Sequence, residues 1–442
     1  MNEHMDQACA VGAAQLITTG LGLQPGQDVL IVCDETTQEV ALLLADATLD
    51  IGAVPGLFLV PLRQQGGAHL GAALKGAITP CTAILNVLAA GQETLAFRRA
   101  LLDSAVSHER VTAHMPGATL AVLAAAGIDD PEIDRRNEAL ARGLALGRRL
   151  RVITRGPASR EYCLELDLGG WARTPILSGR TISRGTWGNL PGGETYIAPV
   201  SGDGELLVDG SIDSILLGEP LVVSFRDGRM VDFAPRGTPG GEFLSELAAQ
   251  CTEAGRPDWN CLVELGIGTN GSVRNLTTTA MLNEKVLGTC HVALGDNNTR
   301  GGEGDANTQV QLVCRAPSIL IDGIAWLDQG RHVYDPRDSG EDYSVAEPHG
   351  EVQHWRVERT GYPAEIDRNR LYREWYNAAN KRHRFSVGNQ RTARLAAQVY
   401  GKLQSRGEQS VIDLTLRTGM DLVLIGQVLS IMERYQLVEV RP

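Results

Sequence analysis

The segment from Glu264 to Gln311 carries side chains of the kinds that bind metal ions or transfer protons. Carboxylates and an imidazole follow one another at Glu264, His291 and Asp296. Such ligands suit a divalent ion such as zinc, manganese or iron. The segment ends on two neutral amides, Gln309 and Gln311. Whether this chain is an enzyme depends on whether Gln309 and Gln311 stand in place of two metal ligands.

The first part of the chain alternates two kinds of apolar pattern. Runs 29–33 and 82–87 are typical of buried strands, and 40–53 between them has helical spacing. This alternation predicts an α/β domain over residues 1–150 with a parallel sheet. No Gly-x-Gly-x-x-Gly follows any of these strands, so a dinucleotide site is not expected.

The rest of the chain changes character twice. Short strand-like runs separated by glycine-rich turns predict a β-rich domain over 151–335. A polar connecting segment over 336–388 follows. Residues 389–442 have the pattern of three helices and a strand, which predicts a small winged-helix-like domain.

Composition limits the classes of function. The chain has 442 residues, a net charge of −12 and a pI of about 5.3. An acidic balance argues against a nucleic-acid partner. There is no apolar run of 18 residues and no apolar stretch near the N-terminus, so we expect neither a membrane span nor a signal peptide. The cytoplasm is the expected location.

Four ordered phrases resemble the aminopeptidase T family of metal-dependent aminopeptidases. The resemblance covers roughly residues 20–330, and the same superfamily includes an iron-dependent dioxygenase that cleaves dihydroxypyridine rings. It implies an aminopeptidase-T-like fold for the β-rich domain and a homodimer. The phrases are residues 188–199, 264–270, 283–297 and 321–323.

The resemblance also implies a metal site that has changed. In the family two metal ions are held by glutamates, histidines and an aspartate, and Glu194, Glu264 and His291 match three of these ligands. The family's His-x-Asp pair falls on Gln309 and Gln311. The family's tyrosine ligand has no match either, since Asn297 and Asn298 lie near its position. One divalent metal (zinc, manganese or iron) or none remains open, and Glu303 and Asp305 are alternative donors.

Each of these residues also has an ordinary structural interpretation. Glu194 and Glu264 would then accept hydrogen bonds from backbone amides, and His291 would be a core histidine with its bonds satisfied. Glu284 would pair with Lys285 or Arg300 at the surface.

The leading hypothesis is a diverged aminopeptidase-T-like protein that binds a peptide or amino-acid-like ligand between its first two domains. It would hydrolyse or otherwise modify that ligand with an altered or absent metal site. The alternatives are a non-catalytic pseudoenzyme that binds a partner, and an iron-dependent ring-cleaving dioxygenase. The C-terminal domain is expected to contact a peptide or protein rather than nucleic acid. The candidate residues are Glu264, Glu194 and His291 for catalysis or a remnant metal, and Asp296, Asn297, Gln309 and Gln311 for substrate binding.

Overall fold

The computed structural model describes most of the first three quarters of the chain. It covers residues 3–333 apart from 92, 107–109, 170–174, 186, 297–305 and 307. Beyond 333 it covers 356–359, 408–418, 438–441 and the positions 399, 402, 403, 425, 428, 429 and 432. Within these residues, no helix combines the length and apolar character needed to cross a membrane.

Helices and strands alternate first, and strands then dominate. The α-helices of the described residues are α1 (Glu3–Gln15), α2 (Gln38–Asp50), α3 (Ala72–Ile78), α4 (Leu95–Ala105), α5 (Leu120–Ala124), α6 (Glu132–Leu146), α7 (Pro239–Glu253), α8 (Ala280–Asn283) and α9 (Val411–Thr418). Short helical turns of other types lie at Leu16–Gly20, Leu62–Gln64 and Pro157–Ser159.

The strands fall into four sheets. In chain order they are β1 (Asp28–Cys33), β2 (Val54–Leu59), β3 (Ala83–Asn86), β4 (Val111–His114), β5 (Arg149–Arg155), β6 (Glu161–Asp167), β7 (Ile176–Ser178), β8 (Trp187–Asn189), β9 (Glu194–Ile197), β10 (Ser201–Val208), β11 (Ser211–Ile212), β12 (Ile215–Leu216), β13 (Leu221–Arg226), β14 (Arg229–Ala234), β15 (Leu262–Gly268), β16 (Cys290–Gly295), β17 (Gln309–Cys314), β18 (Ser318–Ile321), β19 (Ile324–Asp328), β20 (Arg331–His332), β21 (Arg356–Arg359), β22 (Gln409–Ser410) and β23 (Val438–Arg441).

The first sheet is the parallel sheet that the alternating pattern predicts. Its strand order is β2-β1-β3-β4-β8, and every pair is parallel. Apolar residues of α1, α2 and α5 fill one face of it. Apolar residues of α3 and α4 fill the other face. A parallel sheet is ordinarily covered on both faces in this way, because its crossover connections carry the helices.

The second and third sheets pack face to face around one apolar core. The second has the order β14-β13-β10-β6-β5-β18-β19-β20, and the third β12-β11-β17-β16-β15-β9-β7. Alternate residues of both sheets, such as Leu164 and Val223 from one and Leu265 and Val292 from the other, meet in this core. Helix α7 covers it with Leu244, and begins at Pro239 after Thr238, whose hydroxyl accepts a hydrogen bond from Gly241 N–H. Large β-sheets beside an α/β layer are consistent with an aminopeptidase-T-like fold.

A short link connects the first sheet to the third. Strand β8 ends at Asn189 as the edge of the parallel sheet, and β9 begins at Glu194 in the third sheet. Two glycines in the link approach other backbone closely. A Cβ at Gly192 would lie 1.9 Å from the carbonyl oxygen of Gly179, and one at Gly193 would lie 2.3 Å from the Cβ of Asn270. The link therefore fixes where Glu194 enters the third sheet.

The described part of the C-terminal region is a small separate sheet. Strand β21 lies between β22 and β23 and is antiparallel to both. Helix α9 follows β22 directly, and the Ser410 hydroxyl accepts the N–H of Asp413. The predicted helices on either side lie mostly outside the described residues, as does most of the connecting segment 336–388. The winged-helix domain therefore stays a prediction.

Candidate functional site

One face of the third sheet collects the candidate residues. In the register, Glu264 lies opposite Ala293, and Ala293 lies opposite Gln311. His291 lies opposite Gly266, and Glu194 opposite Gly268. Residues directly opposite one another on neighbouring strands point to the same face. These side chains therefore share the face away from the apolar core, which we call the site face.

A β-bulge at Val263 is what turns Glu264 toward this face. Leu262 pairs with Leu294, yet Glu264 pairs with Ala293, so β15 has one residue more than β16 over this stretch. Without the extra residue, Leu262 and Glu264 would point the same way, because side chains alternate with a period of two. Leu262 instead packs in the core, and Glu264 points to the site face. A bulge that redirects one side chain is a recurrent feature near active sites.

Gly266 makes room for the His291 ring. A Cβ built at Gly266 would lie 2.1 Å from Cε1 and 2.3 Å from Nε2 of His291. The imidazole therefore lies directly over the glycine backbone, fully buried. No larger residue at this position leaves the ring where it is.

Lys285 brings a positive charge into the site. Its ammonium group donates hydrogen bonds to Oε1 of Glu194 and, at 2.8 Å, to Oε2 of Glu284. Both Lys285 and Glu194 are buried. Burial lowers the pKa of Lys285, but Glu194 and Glu284 together raise it above its ordinary value, so the ammonium stays charged. The expected surface pair of Glu284 and Lys285 thus forms, but its ammonium lies in the interior rather than at the surface.

His291, Glu264 and Gln309 form a second hydrogen-bonded group. Nε2 of His291 lies 3.1 Å from Oε1 of Glu264 and 3.8 Å from Oε2 of Glu194. The Gln309 amide donates to Oε2 of Glu264 at 3.4 Å. Burial lowers the pKa of His291 despite the raising effect of Glu284 and Glu194. The imidazole is therefore neutral at pH 7, and the carboxylate selects the tautomer with its proton on Nε2.

Asp213 lies at the edge of the same group. Its carboxylate accepts the backbone N–H of Gln311 at 2.8 Å, from the two-residue turn between β11 and β12. Burial, with a smaller contribution from Glu284, raises the pKa of Asp213 to about 7. Close to neutral pH this carboxyl is thus partly protonated. Such shifts are typical of functional sites, although structural networks produce them as well.

Several buried polar atoms on the site face have no hydrogen-bond partner among the described residues. They are Oε2 of Glu194, Nδ1 of His291 and Oε1 of Gln311. In the tautomer selected by Glu264, Nδ1 of His291 is an acceptor, as are the two side-chain oxygens of Glu194 and Gln311. Buried acceptors are normally satisfied, so several unpartnered acceptors on one face of a sheet indicate a site for donors from a ligand or water.

The residues present do not fit the two metal ions that the resemblance implies. Gln309 and Gln311 supply neutral amides at two ligand positions, and the Gln309 amide is a donor to Glu264. One oxygen of Glu194 is already bonded to the Lys285 ammonium. Within the described residues, no three His, Cys, Asp or Glu side chains have an arrangement that would hold a metal ion. Glu303 and Asp305, the alternative donors, lie outside these residues.

One candidate residue, Asp296, contacts the first domain. It follows β16, is buried, and lies 3.3 Å from Nη1 of Arg99 on α4. This ion pair joins α4 of the first domain to the residue that follows β16. The neighbouring Asn297 lies outside the described residues.

Two members of the site were not identified from the sequence. Lys285 follows the polar residues Asn283 and Glu284, so its neighbours in the sequence give no signal of burial. Asp213 stands in a tight turn, where an aspartate is ordinary. Its proximity to Gln311 arises only from the pairing of β11 with β17.

Comparison with solved structures shows the fold. The chain is similar to 2,5-dihydroxypyridine dioxygenase from Pseudomonas putida KT2440, with a TM-score of 0.55 and 15% identity over 75% of this chain and 97% of the other. It is also similar to wild-type AmpT from Thermus thermophilus, with a TM-score of 0.51 and 14% identity over 74% of this chain and 99% of the other. No protein-family model and no curated protein matches the chain. The likeness places the chain in the fold shared by these two proteins.

Proposed function

We propose that this chain binds a peptide or amino-acid-like ligand at the site face, through the ligand's amino group. The charged groups of the site favour a cationic ligand. Three carboxylates, of Glu194, Glu264 and Glu284, accompany one ammonium, of Lys285, and a neutral imidazole. A buried excess of negative charge is unfavourable unless a positive group compensates it.

The observation that carries the proposal is the set of unpartnered acceptors. Glu194 Oε2, His291 Nδ1 and Gln311 Oε1 are all buried and all lack a donor among the described residues. A primary ammonium group has three N–H donors and one positive charge. It therefore complements these acceptors in both number and charge.

Peptide hydrolysis is a second candidate. The observation in its favour is the Glu264–His291 pair, in which the carboxylate holds Nε2–H and leaves Nδ1 as a base. A base so placed can accept a proton from an attacking water molecule. Hydrolysis also needs a group that stabilises charge on the carbonyl oxygen. The Lys285 ammonium is already bonded to two glutamates, so binding is the better supported function.

Isothermal titration calorimetry with a panel of X-Gly dipeptides and their N-acetylated forms tests the proposal. We expect free-amine dipeptides to bind in the presence of EDTA, and the acetylated forms to bind at least about tenfold more weakly, since one unsatisfied buried group costs about 1–3 kcal/mol. Gln311→Leu should weaken binding similarly, whereas Gln250→Leu on the exposed surface of α7 should not.

Two results would decide against the proposal or for its alternative. Equal binding of free and acetylated dipeptides, or no binding of either, would contradict recognition of an amino group. Release of amino acid from the same dipeptides in EDTA, abolished by His291→Ala, would establish the hydrolytic alternative.

A further inference from the structure

The carboxyl edge of the first sheet holds a second group of polar side chains, separate from the site face. Asn86, His114 and Asn189 end the neighbouring strands β3, β4 and β8 and lie side by side in the register. Ile84, two residues before Asn86, packs with Phe97 of α4. The three side chains therefore lie on the face of the sheet that α4 covers. In open parallel sheets, ligands bind at this carboxyl edge.

Arg98 of α4 adds a buried guanidinium to this group. Its Nη1 lies 3.3 Å from Nε2 of His114, its Nε donates to the Thr94 hydroxyl at 3.2 Å, and its Nη2 donates to the Gly91 carbonyl at 3.1 Å. All three partners are neutral. Of the five N–H donors of a guanidinium, these bonds use three and leave two.

The two hydrogen bonds described here fix the tautomer of His114. Because Nε2 faces a guanidinium, which can only donate, that nitrogen must be an acceptor. The proton is then on Nδ1, which donates to Oδ1 of Asn189 at 3.2 Å. In this tautomer the imidazole accepts from the guanidinium but brings no negative charge to compensate it.

The buried side chain of Asn86 also has unused hydrogen-bond donors. Its side chain is fully buried, and its oxygen accepts the N–H of Leu88. Its Nδ2 has no hydrogen-bond partner among the described residues. Two amide N–H groups are thus left beside the strand that carries His114, on the same face as Arg98. Buried donors without acceptors are rare in folded proteins.

The charges around this group do not neutralise it. No carboxylate of the described residues forms an ion pair with Arg98, and exposed Glu93 is the acidic neighbour that acts on it from a distance. Asp34, at the end of β1, already accepts bonds from Thr36, Gln65 and the Ala89 backbone. Burial lowers the pKa of Arg98 to about 10, so the guanidinium is still charged at neutral pH.

We infer that Arg98 and Asn86 form a binding subsite for a small anionic group, a carboxylate or a phosphate, at the carboxyl edge of the first sheet. The subsite offers a positive charge and unused N–H donors, and such a set matches a ligand group that has only acceptors. This inference does not depend on the amine site, because none of its residues lies on the site face.

The test measures thermal unfolding and calorimetric binding at pH 7 with inorganic phosphate or acetate, at constant ionic strength set with sodium chloride. We expect one of the two anions to raise the Tm in a saturable way, with a Kd on the order of 1 mM, and so to identify the group bound. Because phosphate and acetate are tested separately, the result distinguishes a phosphate site from a carboxylate site. Gln311→Leu, a change on the site face, should leave this shift intact.

Two variants and a matched control make the test specific. Asn86→Asp keeps the side-chain size, places a carboxylate opposite His114 on the face that carries Arg98, and should abolish the anion effect while the fold remains. Arg98→Gln should abolish it as well. Arg110→Gln removes another buried guanidinium, one bonded to the carbonyls of Cys81, Ala105 and Thr79, and should retain it. Absence of a saturable shift with either anion, or a shift that persists in Asn86→Asp, would overturn the inference.

Discussion

Lys285 is the residue on which the electrostatics of the site depend. Its ammonium is fully buried between the carboxylates of Glu194 and Glu284. A buried ion pair contributes little net stability compared with apolar packing, but removing one partner leaves a buried charge without compensation. Lys285 is therefore the counter-charge that Glu194 and Glu284 share.

Replacement of Lys285 by Met should destabilise the protein by about 3–5 kcal/mol, because Glu194 is then buried without its counter-charge. Urea denaturation at pH 7 measures the change. The double variant Lys285→Met/Glu194→Gln should recover part of the loss. Lys75→Met, at an exposed position of α3, should change stability by no more than about 0.5 kcal/mol. Equal effects at positions 285 and 75 would contradict the burial of this charge.

Asp213 makes stability depend on pH. Its pKa rises from 3.8 to about 7 in the folded protein, so the folded state binds more protons than the unfolded state between pH 4 and pH 7. Stability therefore falls as the pH rises through that range. At about 1.4 kcal/mol per pKa unit, the penalty at pH 8 is at most about 4 kcal/mol.

Asp213→Asn should remove this penalty. Asparagine keeps the oxygen that accepts the Gln311 N–H and tolerates the positive φ of 48° found there. The variant should match the wild type near pH 4 and exceed it in stability at pH 8, as followed by urea denaturation at each pH. A stability difference that does not change with pH would show that Asp213 titrates normally.

At the scale of elements, the site depends on one bulge and one glycine in β15. The short strand-like runs of 151–335 predict the β-rich domain that contains β15, and the alternation of strands and helices over 1–150 predicts a parallel sheet. The bulge at Val263 has no such signal, because which residue is extra depends on the pairing with β16. The sequence therefore predicts a β-rich domain around Glu264, but not the face of the sheet to which Glu264 points.

Gly266→Ala tests the packing within β15. The added methyl group would lie 2.1 Å from the His291 ring, and overpacking of this kind costs about 1–3 kcal/mol. We expect lower stability in urea together with weaker dipeptide binding, since the ring must move. Gly218→Ala is the control, because a Cβ there meets nothing within 4 Å. Wild-type behaviour of Gly266→Ala would mean that the ring does not lie over the glycine.

Across the whole molecule, the two larger domains and the described C-terminal residues are stabilised by different apolar clusters and strand pairings. The apolar clusters of the three large sheets contain no described residue beyond Leu327. Strands β21, β22 and β23 pair only with one another among the described strands. The periodic patterns of the sequence predicted the α/β domain and the β-rich segment. They could not predict that β8, which is separated from β4 by residues 115–186, returns to the first sheet, because that pairing is long-range.

A chain ending at residue 335 should therefore fold by itself. We expect its thermal unfolding, followed by circular dichroism, to have a midpoint within about 2 °C of the corresponding transition of the full chain, a shift of about 1 kcal/mol for a chain of this size. The truncated chain should also bind dipeptides as the full chain does. Aggregation of the truncated protein, or loss of its cooperative transition, would show that the C-terminal region is part of the same folding unit.

Two amides, of Gln309 and Gln311, and the internal ammonium of Lys285 leave the site face unfit for a pair of metal ions. Mass-spectrometric metal analysis tests it after dialysis against equal concentrations of zinc, manganese and iron, with the Gln309→His/Gln311→Asp variant beside the wild type. We expect well below one metal ion per chain in the wild type and greater uptake in the variant, where an imidazole and a carboxylate replace the amides. Two metal ions per wild-type chain would contradict it.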